Sequence, residues 1–235
     1  MSNAKQILSR LKQLASPTIA VHSRRYFKTG KGEYGEGDRF LGIRVPSLRA
    51  EVKQQLDLPL AETLKLLSSK WHEVRLFALL MLVDKFNKGN DELRSEIFHH
   101  YMQHMEHINN WDLIDLSAPN IVGAWLADKD KSVLYELATS DNLWHRRVAV
   151  MATFFSIKKD DYNDALAIAE RLINDEQDLI QKAVGWMLRE IGKRNLRREE
   201  AFLKQHYQRM PRTMLRYAIE RLPEKKRKAY LNGVI

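Results

Sequence analysis

Three short stretches set an aromatic ring and a charge on one helical face. In "WDLID", Trp111 and Asp115 are spaced i, i+4; in "NLWHRR", Trp144 and Arg147 are i, i+3; in "QKAVGW", Lys182 and Trp186 are again i, i+4. Residues at these spacings are neighbours on a helix surface. Tryptophans beside basic groups at helix starts suit a nucleic-acid groove, where cations meet phosphates and rings meet sugars or bases. The alternative for each tryptophan is core packing, the usual fate of that side chain. Asp115 is the odd member. Aligned with Arg75, Arg147, Lys182 and Arg212, it is a carboxylate where the others are basic, and it would repel the backbone they attract. Such a local conflict points to function; the alternative is a structural ion pair with Arg147.

Two other patterns compete for chemistry. Residues 27–40, "FKTGKGEYGEGDRF", hold Gly30, Gly32, Gly35 and Gly37, and the first three spell G-x-G-x-x-G. A dinucleotide fingerprint must follow a strand and open a helix. Here the upstream "HSRRYFKT" is no strand, and the downstream run reaches Pro46, which starts a helix. Glu33, Glu36 and Asp38 would also oppose phosphate. A flexible connection between helices is expected, flanked by Lys28, Lys31, Arg39 and Arg44. The second pattern is His99, His100, His104 and His107 on one expected helix, with three of them sharing a face. Imidazoles so spaced could hold zinc or iron, but no further ligand cluster accompanies them. A solvated face is preferred, and neither a metal nor a cofactor is expected. No phosphate loop, nucleophile elbow or thiol motif is present.

The elements that must carry these residues are helices. Apolar positions recur at helical spacing in 70–86, 110–126, 142–157, 178–192 and 212–222, and sustained alternation is absent. The opening "MSNAKQILSRLKQL" reads as an amphipathic helix capped near Ser2 or Asn3. The aligned positions 75, 115, 147, 182 and 212 are separated by 40, 32, 35 and 30 residues. Helix-pair repeats of the HEAT kind have such intervals. The expected fold is therefore all-α, a HEAT-like helical repeat solenoid over residues 1–235 as a single domain, with a concave basic groove.

Composition narrows the partners. The chain of 235 residues carries 39 Lys and Arg against 30 Asp and Glu, a formal net charge of +9. Residues 189–230 hold 14 basic and 5 acidic side chains, so the rest of the chain is balanced. A one-sided basic region fits a polyanion, nucleic acid first, although a solvated helical face would share the composition. There is no cysteine, which excludes a disulfide framework and thiolate metal sites. No apolar run is long enough to span a membrane, and the start lacks a signal-peptide stretch. A cytoplasmic protein is expected.

The stretches "YFKTGKGEYGEGDRFLGIRVP", "WDLID", "NLWHRR" and "LIQKAVGWMLREIGK", in this order over about residues 5–225, resemble the AlkD-type DNA alkylation repair glycosylases. The resemblance implies a helical solenoid around duplex DNA and excision of positively charged N3- and N7-alkylated purines. It implies Asp115 as the catalytic carboxylate, the last residue of the W-D-x-x-D motif, with Trp111 opening that motif. Trp186, Arg147 and Tyr26 then match the remaining contacts to the lesion and its sugar, and Lys28, Arg75, Lys182 and Arg189 are assigned to the DNA backbone. The chain departs from some members at Asn110, Leu179 and Ile180 and in its longer glycine segment, which bears on substrate range more than on reaction type.

The chemistry follows from the substrate class. An alkylpurine cation leaves as a neutral base, so the difficulty is the cationic, oxocarbenium-like sugar. A carboxylate near it stabilises that charge and orients water. No lysine stands out as a Schiff-base nucleophile, so a monofunctional, monomeric enzyme on double-stranded DNA is expected. The rivals are a non-catalytic binder of branched or distorted DNA and a HEAT-like protein-interaction scaffold.

Overall fold

The computed structural model describes residues 2–235 and is all-helical, with no strand among them. Those residues fall into two compact units, the first ending at Ser117 and the second running from Ala118 to Ile235.

The first unit contains α1 (Ala4–Gln13), α2 (Pro17–Tyr26), α3 (Val45–Gln54), α4 (Leu60–Leu67), α5 (His72–Lys88), α6 (Asp91–Gln103) and α7 (Trp111–Ser117). Helix starts are chemically marked. Asn3 and Gln6 form a reciprocal capping box on α1, Ser16 caps α2 with Pro17 in its first turn, and Asn90 caps α6. Each such cap contributes about 1 kcal/mol. Helix α5 is the centre of this unit: every residue from His72 to Leu82 is buried, and α3, α4, α6 and α7 pack on it. A helix apolar nearly all round must lie inside. Full burial of side chains such as Phe77 and Leu79 stabilises by roughly 1.5–3 kcal/mol each.

The second unit opens on a π-helical turn, Pro119–Gly123. It continues with α8 (Ser132–Ala138), α9 (Leu143–Ala152), α10 (Phe154–Ile157), α11 (Asn163–Arg171), α12 (Asp178–Gly192), α13 (Leu196–His206), α14 (Arg212–Ala218) and α15 (Glu224–Asn232). Here α12 is central, touching α9, α10, α11, α13 and α14. In both units, helices consecutive in sequence pack as pairs, α4 on α5 and α8 on α9 among them, consistent with a helical repeat solenoid.

Two expected helices are broken. The run 110–126 gives way at Pro119, whose ring has no N–H for the helical ladder, and the chain widens into the π turn. The run 142–157 divides at Thr153, whose hydroxyl donates to the Val150 carbonyl at 2.7 Å. Such back-bonding competes with the regular helix. The stretch 178–192 forms one helix with the expected bounds.

Candidate active site

Helix α7 carries the Trp-Asp motif, and its ends are tied down differently. Asn110, fully buried, accepts the Trp111 N–H on its side-chain oxygen at 2.9 Å. At the far end, the Ser117 hydroxyl donates to the Leu113 carbonyl at 2.5 Å and pairs with the Tyr101 hydroxyl of α6 at 3.0 Å. Burial pushes the Tyr101 phenol far above its ordinary range, and Asp115 adds to that push. Leu113 and Ile114 face the core, while Trp111 and Asp115 are half-buried. The expected shared face of Trp111 and Asp115 is thus only partly covered.

Trp111 rests on an aromatic column. The Phe27 ring stacks on it at 5.3 Å and 20°, and Tyr26 meets it edge-on at 5.9 Å. Phe27 in turn stacks on Phe40 at 5.0 Å. Tyr26, 66% exposed, is the solvent-facing end of this group. The structure therefore brings Tyr26 and Trp111 together. Lys28 follows in a left-handed conformation, φ 50°, with its ammonium 5.8 Å from the Tyr34 ring.

The glycine segment between α2 and α3 is a set of turns that fasten themselves. Glu33 accepts the Gly30 amide at 2.7 Å, and Glu36 accepts the Gly32 amide at 2.8 Å. These amides would have to face a phosphate in a nucleotide loop, and carboxylates already hold them. Gly35 donates to the Lys28 carbonyl, and a Cβ at Gly35 would lie 2.4 Å from the Phe27 carbonyl oxygen. Only glycine allows that approach. The flexible connection expected from sequence is a folded turn ending in a buried carboxylate.

That carboxylate, Asp38, belongs to a charge network that the sequence reading missed. Its Oδ2 lies 2.9 Å from His72 Nδ1, and its Oδ1 accepts from Arg75 at 2.9 Å. The other ring nitrogen, His72 Nε2, lies 2.8 Å from Asp112 Oδ2. His72 is 1% exposed. Burial alone would depress its pKa, but Asp112 and Asp38 outweigh burial and raise it to about 9. Both ring nitrogens face carboxylate oxygens, and only the imidazolium donates from both. Burial alone would raise Asp38; the His72 hydrogen bond and the Arg75 charge outweigh that and hold it below its usual range. One residue on, Glu73 accepts the amides of Leu41, Gly42 and Ile43 at 2.7–3.2 Å, fixing the chain just after Asp38.

This network corrects one expectation. Arg75 was assigned to the DNA backbone, but it is 5% exposed, and its guanidinium also donates to the Ser69 carbonyl and the Asn109 side chain. A guanidinium committed to buried internal partners is not offered to phosphate. The histidines also differ from expectation. His99 and His100 end α6, whereas His104 and His107 fall beyond it, and His99 and His104 each place Nδ1 against a carbonyl four residues back. Among the described residues no group of three or more His, Cys, Asp or Glu could hold a metal.

In the second unit, Arg147 is 5% exposed and donates to the Leu179 carbonyl at 2.5 Å. Its neighbour Arg146 is fastened to Asp175 at 2.7 Å and to two loop carbonyls. Trp186, half-buried, donates from its indole N–H to Glu190 at 3.2 Å, and its ring lies 6.0 Å from Phe154. Lys182 pairs with Asp178 at 2.6 Å, and Arg189 pairs with Glu220. The Lys182 pair is exposed and of the weak surface type, whereas the Arg189 side chain is only 17% exposed.

Among solved structures, the chain is similar to one described as a "Predicted DNA alkylation repair enzyme from Enterococcus faecalis". The TM-score is 0.70 at 21% identity, covering 89% of this chain and 97% of that one. A likeness at that identity establishes the fold. No curated protein matches the chain. The family model described as DNA alkylation repair enzyme matches residues 7–222, nearly the whole length, and the chain therefore belongs to the DNA alkylation repair enzyme family.

Proposed function

We propose that, within DNA alkylation repair, this chain is a monofunctional glycosylase that hydrolyses the N-glycosidic bond of positively charged N3- and N7-alkylated purines in duplex DNA. The observation that carries the reading is α7: a half-buried Asp115 one turn from a half-buried Trp111, on a helix clamped at both ends. A carboxylate on a rigid helix is preorganised for a charge that develops only in the transition state. At about 4 Å, opposite unit charges attract by about 4 kcal/mol at an effective dielectric near 20. Half of that already exceeds tenfold in rate.

In this scheme the cationic base departs neutral, so no general acid acts on it. Asp115 faces the sugar cation and orients or deprotonates the incoming water. The Trp111 ring offers its π face to the same charge, and the exposed Tyr26 beside it meets the DNA strand. The resemblance assigns Trp186 to the sugar and Arg147 to a phosphate, but Arg147 is as buried as Arg75 and donates to the Leu179 carbonyl, so it holds the start of α12 instead. No cofactor enters, and the protein acts as a monomer on DNA.

The test is release of 7-methylguanine and 3-methyladenine from methylated duplex DNA by wild type and by Asp115→Asn. The expected result is release by wild type and loss of at least a hundredfold in the variant, with DNA affinity kept. Intact DNA binding without release by wild type would replace the glycosylase with a non-catalytic DNA binder.

A further inference from the structure

The histidine between Asp38 and Asp112 has no place in the scheme above, yet it is the best-satisfied buried charge near α7. We propose that His72 is a positioning residue: as an imidazolium it joins the glycine segment to the first turn of α7 and so sets where Trp111 and Asp115 stand. The inference rests on the glycosylase reading for its kinetic consequence, but not for its structural one.

Four observations converge on it. Both ring nitrogens are within 2.9 Å of carboxylate oxygens from separate segments, Asp38 and Asp112. Asp112 directly follows Trp111 and precedes Asp115 by three residues, so a pull on its carboxylate acts on the same helical turn. The imidazole ring also lies 4.8 Å from Phe27, whose ring stacks on Trp111 as well. Finally, the backbone at His72 is pinned, because its N–H donates to the Arg39 carbonyl at 2.8 Å.

The groups facing the ring are few. Asp38 comes from the glycine segment, Asp112 from α7, and Phe27 and Phe40 lie 4.8 and 4.5 Å from the ring. Arg75 and Asn110 reach it only through Asp38, which accepts from both. The cation shares its environment with two aromatic faces, which favour it further. Asp112 keeps one buried oxygen, Oδ1, with no hydrogen-bond partner, so His72 is the one hydrogen-bond donor to its side chain among the described residues. Removing the imidazole leaves Asp112 without that donor, and neutralising it leaves a single N–H between two carboxylates. A carboxylate in that state turns towards water and takes the first turn of α7 with it.

A purely structural role would lower stability and leave the site's chemistry intact once the variant is folded. The positioning role makes a sharper demand, and three measurements on the full chain read it. The first follows His72 ring nitrogens and the Trp111 indole by NMR, with Trp111→Phe to assign the indole. The ring is doubly protonated at neutral pH, and both signals titrate together in alkali. The second is His72→Gln under single-turnover conditions with excess protein: the rate constant for 7-methylguanine release falls at least tenfold, while Kd for the methylated duplex stays within twofold. The third adds Asp112→Asn to His72→Gln, pairing two neutral amides, and recovers a large part of the rate. Asp112→Asn alone, which leaves the Asp38–Arg75 pair in place, serves if His72→Gln does not fold, and it shifts the Trp111 indole.

An unmoved indole in both variants overturns the proposal, as does an equal loss in Kd and rate. If wild type releases no base, the glycosylase reading falls by itself, and the coupled titration of His72 and Trp111 still decides the positioning role: coupled signals support it, and independent ones refute it.

Discussion

Gly185 offers a perturbation whose sign is set by two opposed effects. It lies in the middle of α12, next to Trp186, where alanine would ordinarily favour a helix by about 1 kcal/mol. A Cβ at this position, however, would stand 2.4 Å from the Met214 carbonyl oxygen, 2.5 Å from the Tyr217 Cβ and 3.2 Å from the Ala218 amide nitrogen. All three atoms belong to α14 at or next to its backbone, so no side-chain rotation relieves the clash, and the two helices must separate. Overpacking of this kind costs about 1–3 kcal/mol, with backbone obstacles at the upper end. The steric term wins, and Gly185→Ala is destabilised by about 1–2 kcal/mol. In a chain of this size that lowers Tm by roughly 2–8 °C. Urea unfolding followed by circular dichroism measures it: the midpoint falls and the slope is unchanged, since the surface exposed on unfolding is the same. On the proposed reading, in which Trp186 of α12 meets the lesion's sugar, base release falls with it. A midpoint equal to or above wild type would mean that α12 and α14 do not approach as closely as described, and the packing argument for the second unit would fail.

Two further outcomes concern a buried carboxyl group and a proposed phosphate contact. Glu199 is 3% exposed; burial first, and then the Glu200 charge, raises its pKa to about 8. The folded state thus holds a proton that the unfolded state releases near its ordinary value of 4.5. The stability this gives is full at low pH and is lost as pH rises to about 8. Urea midpoints from pH 5 to 8 should therefore decline in wild type and decline less in Glu199→Gln, and parallel declines would refute the assignment. In Lys182→Gln, which removes an exposed ammonium assigned to the DNA backbone, DNA affinity falls and the salt dependence of binding flattens by about one counterion. An unchanged salt slope, measured by titration across salt concentrations, removes Lys182 from the phosphate contacts.

What was legible in the sequence was local. Asn3 as a cap, Pro46 at the start of α3 and the bounds of α12 all follow from chemistry within one or two turns. The rejection of the glycine motif as a nucleotide cradle was also legible, because Glu33 and Glu36 stand within four residues of the amides they accept. The resemblance singled out Tyr26 and Trp111 one by one; that their rings meet is seen only in the structure. What was hidden is the network around His72. Asp38 and Asp112 are 34 and 40 residues from it, and nothing in "KWHEVR" distinguishes a bridging histidine from a solvated one. Arg75 was misjudged for the same reason, since a basic residue early in a helix has the same pattern whether it meets phosphate or a buried carboxylate. Periodicity also overran the ends of helices at Pro119 and Thr153, where hydrogen-bond chemistry interrupts a run that is apolar on both sides.

The self-fastened turns between α2 and α3 have a consequence for how this protein can vary. The segment divides into two parts with different freedom. From Gly30 to Gly37 the chain is mostly exposed and its carboxylates fold back on their own neighbours, so residues can be gained or lost there provided Gly35 keeps its place against the Phe27 and Lys28 carbonyls. From Asp38 to Ile43 every step is indexed to α5, through His72, Arg75 and the three amides held by Glu73. Drift in loop length is thus confined to the outer part, and the inner part works as a ruler that keeps α7 in register whatever the outer part becomes.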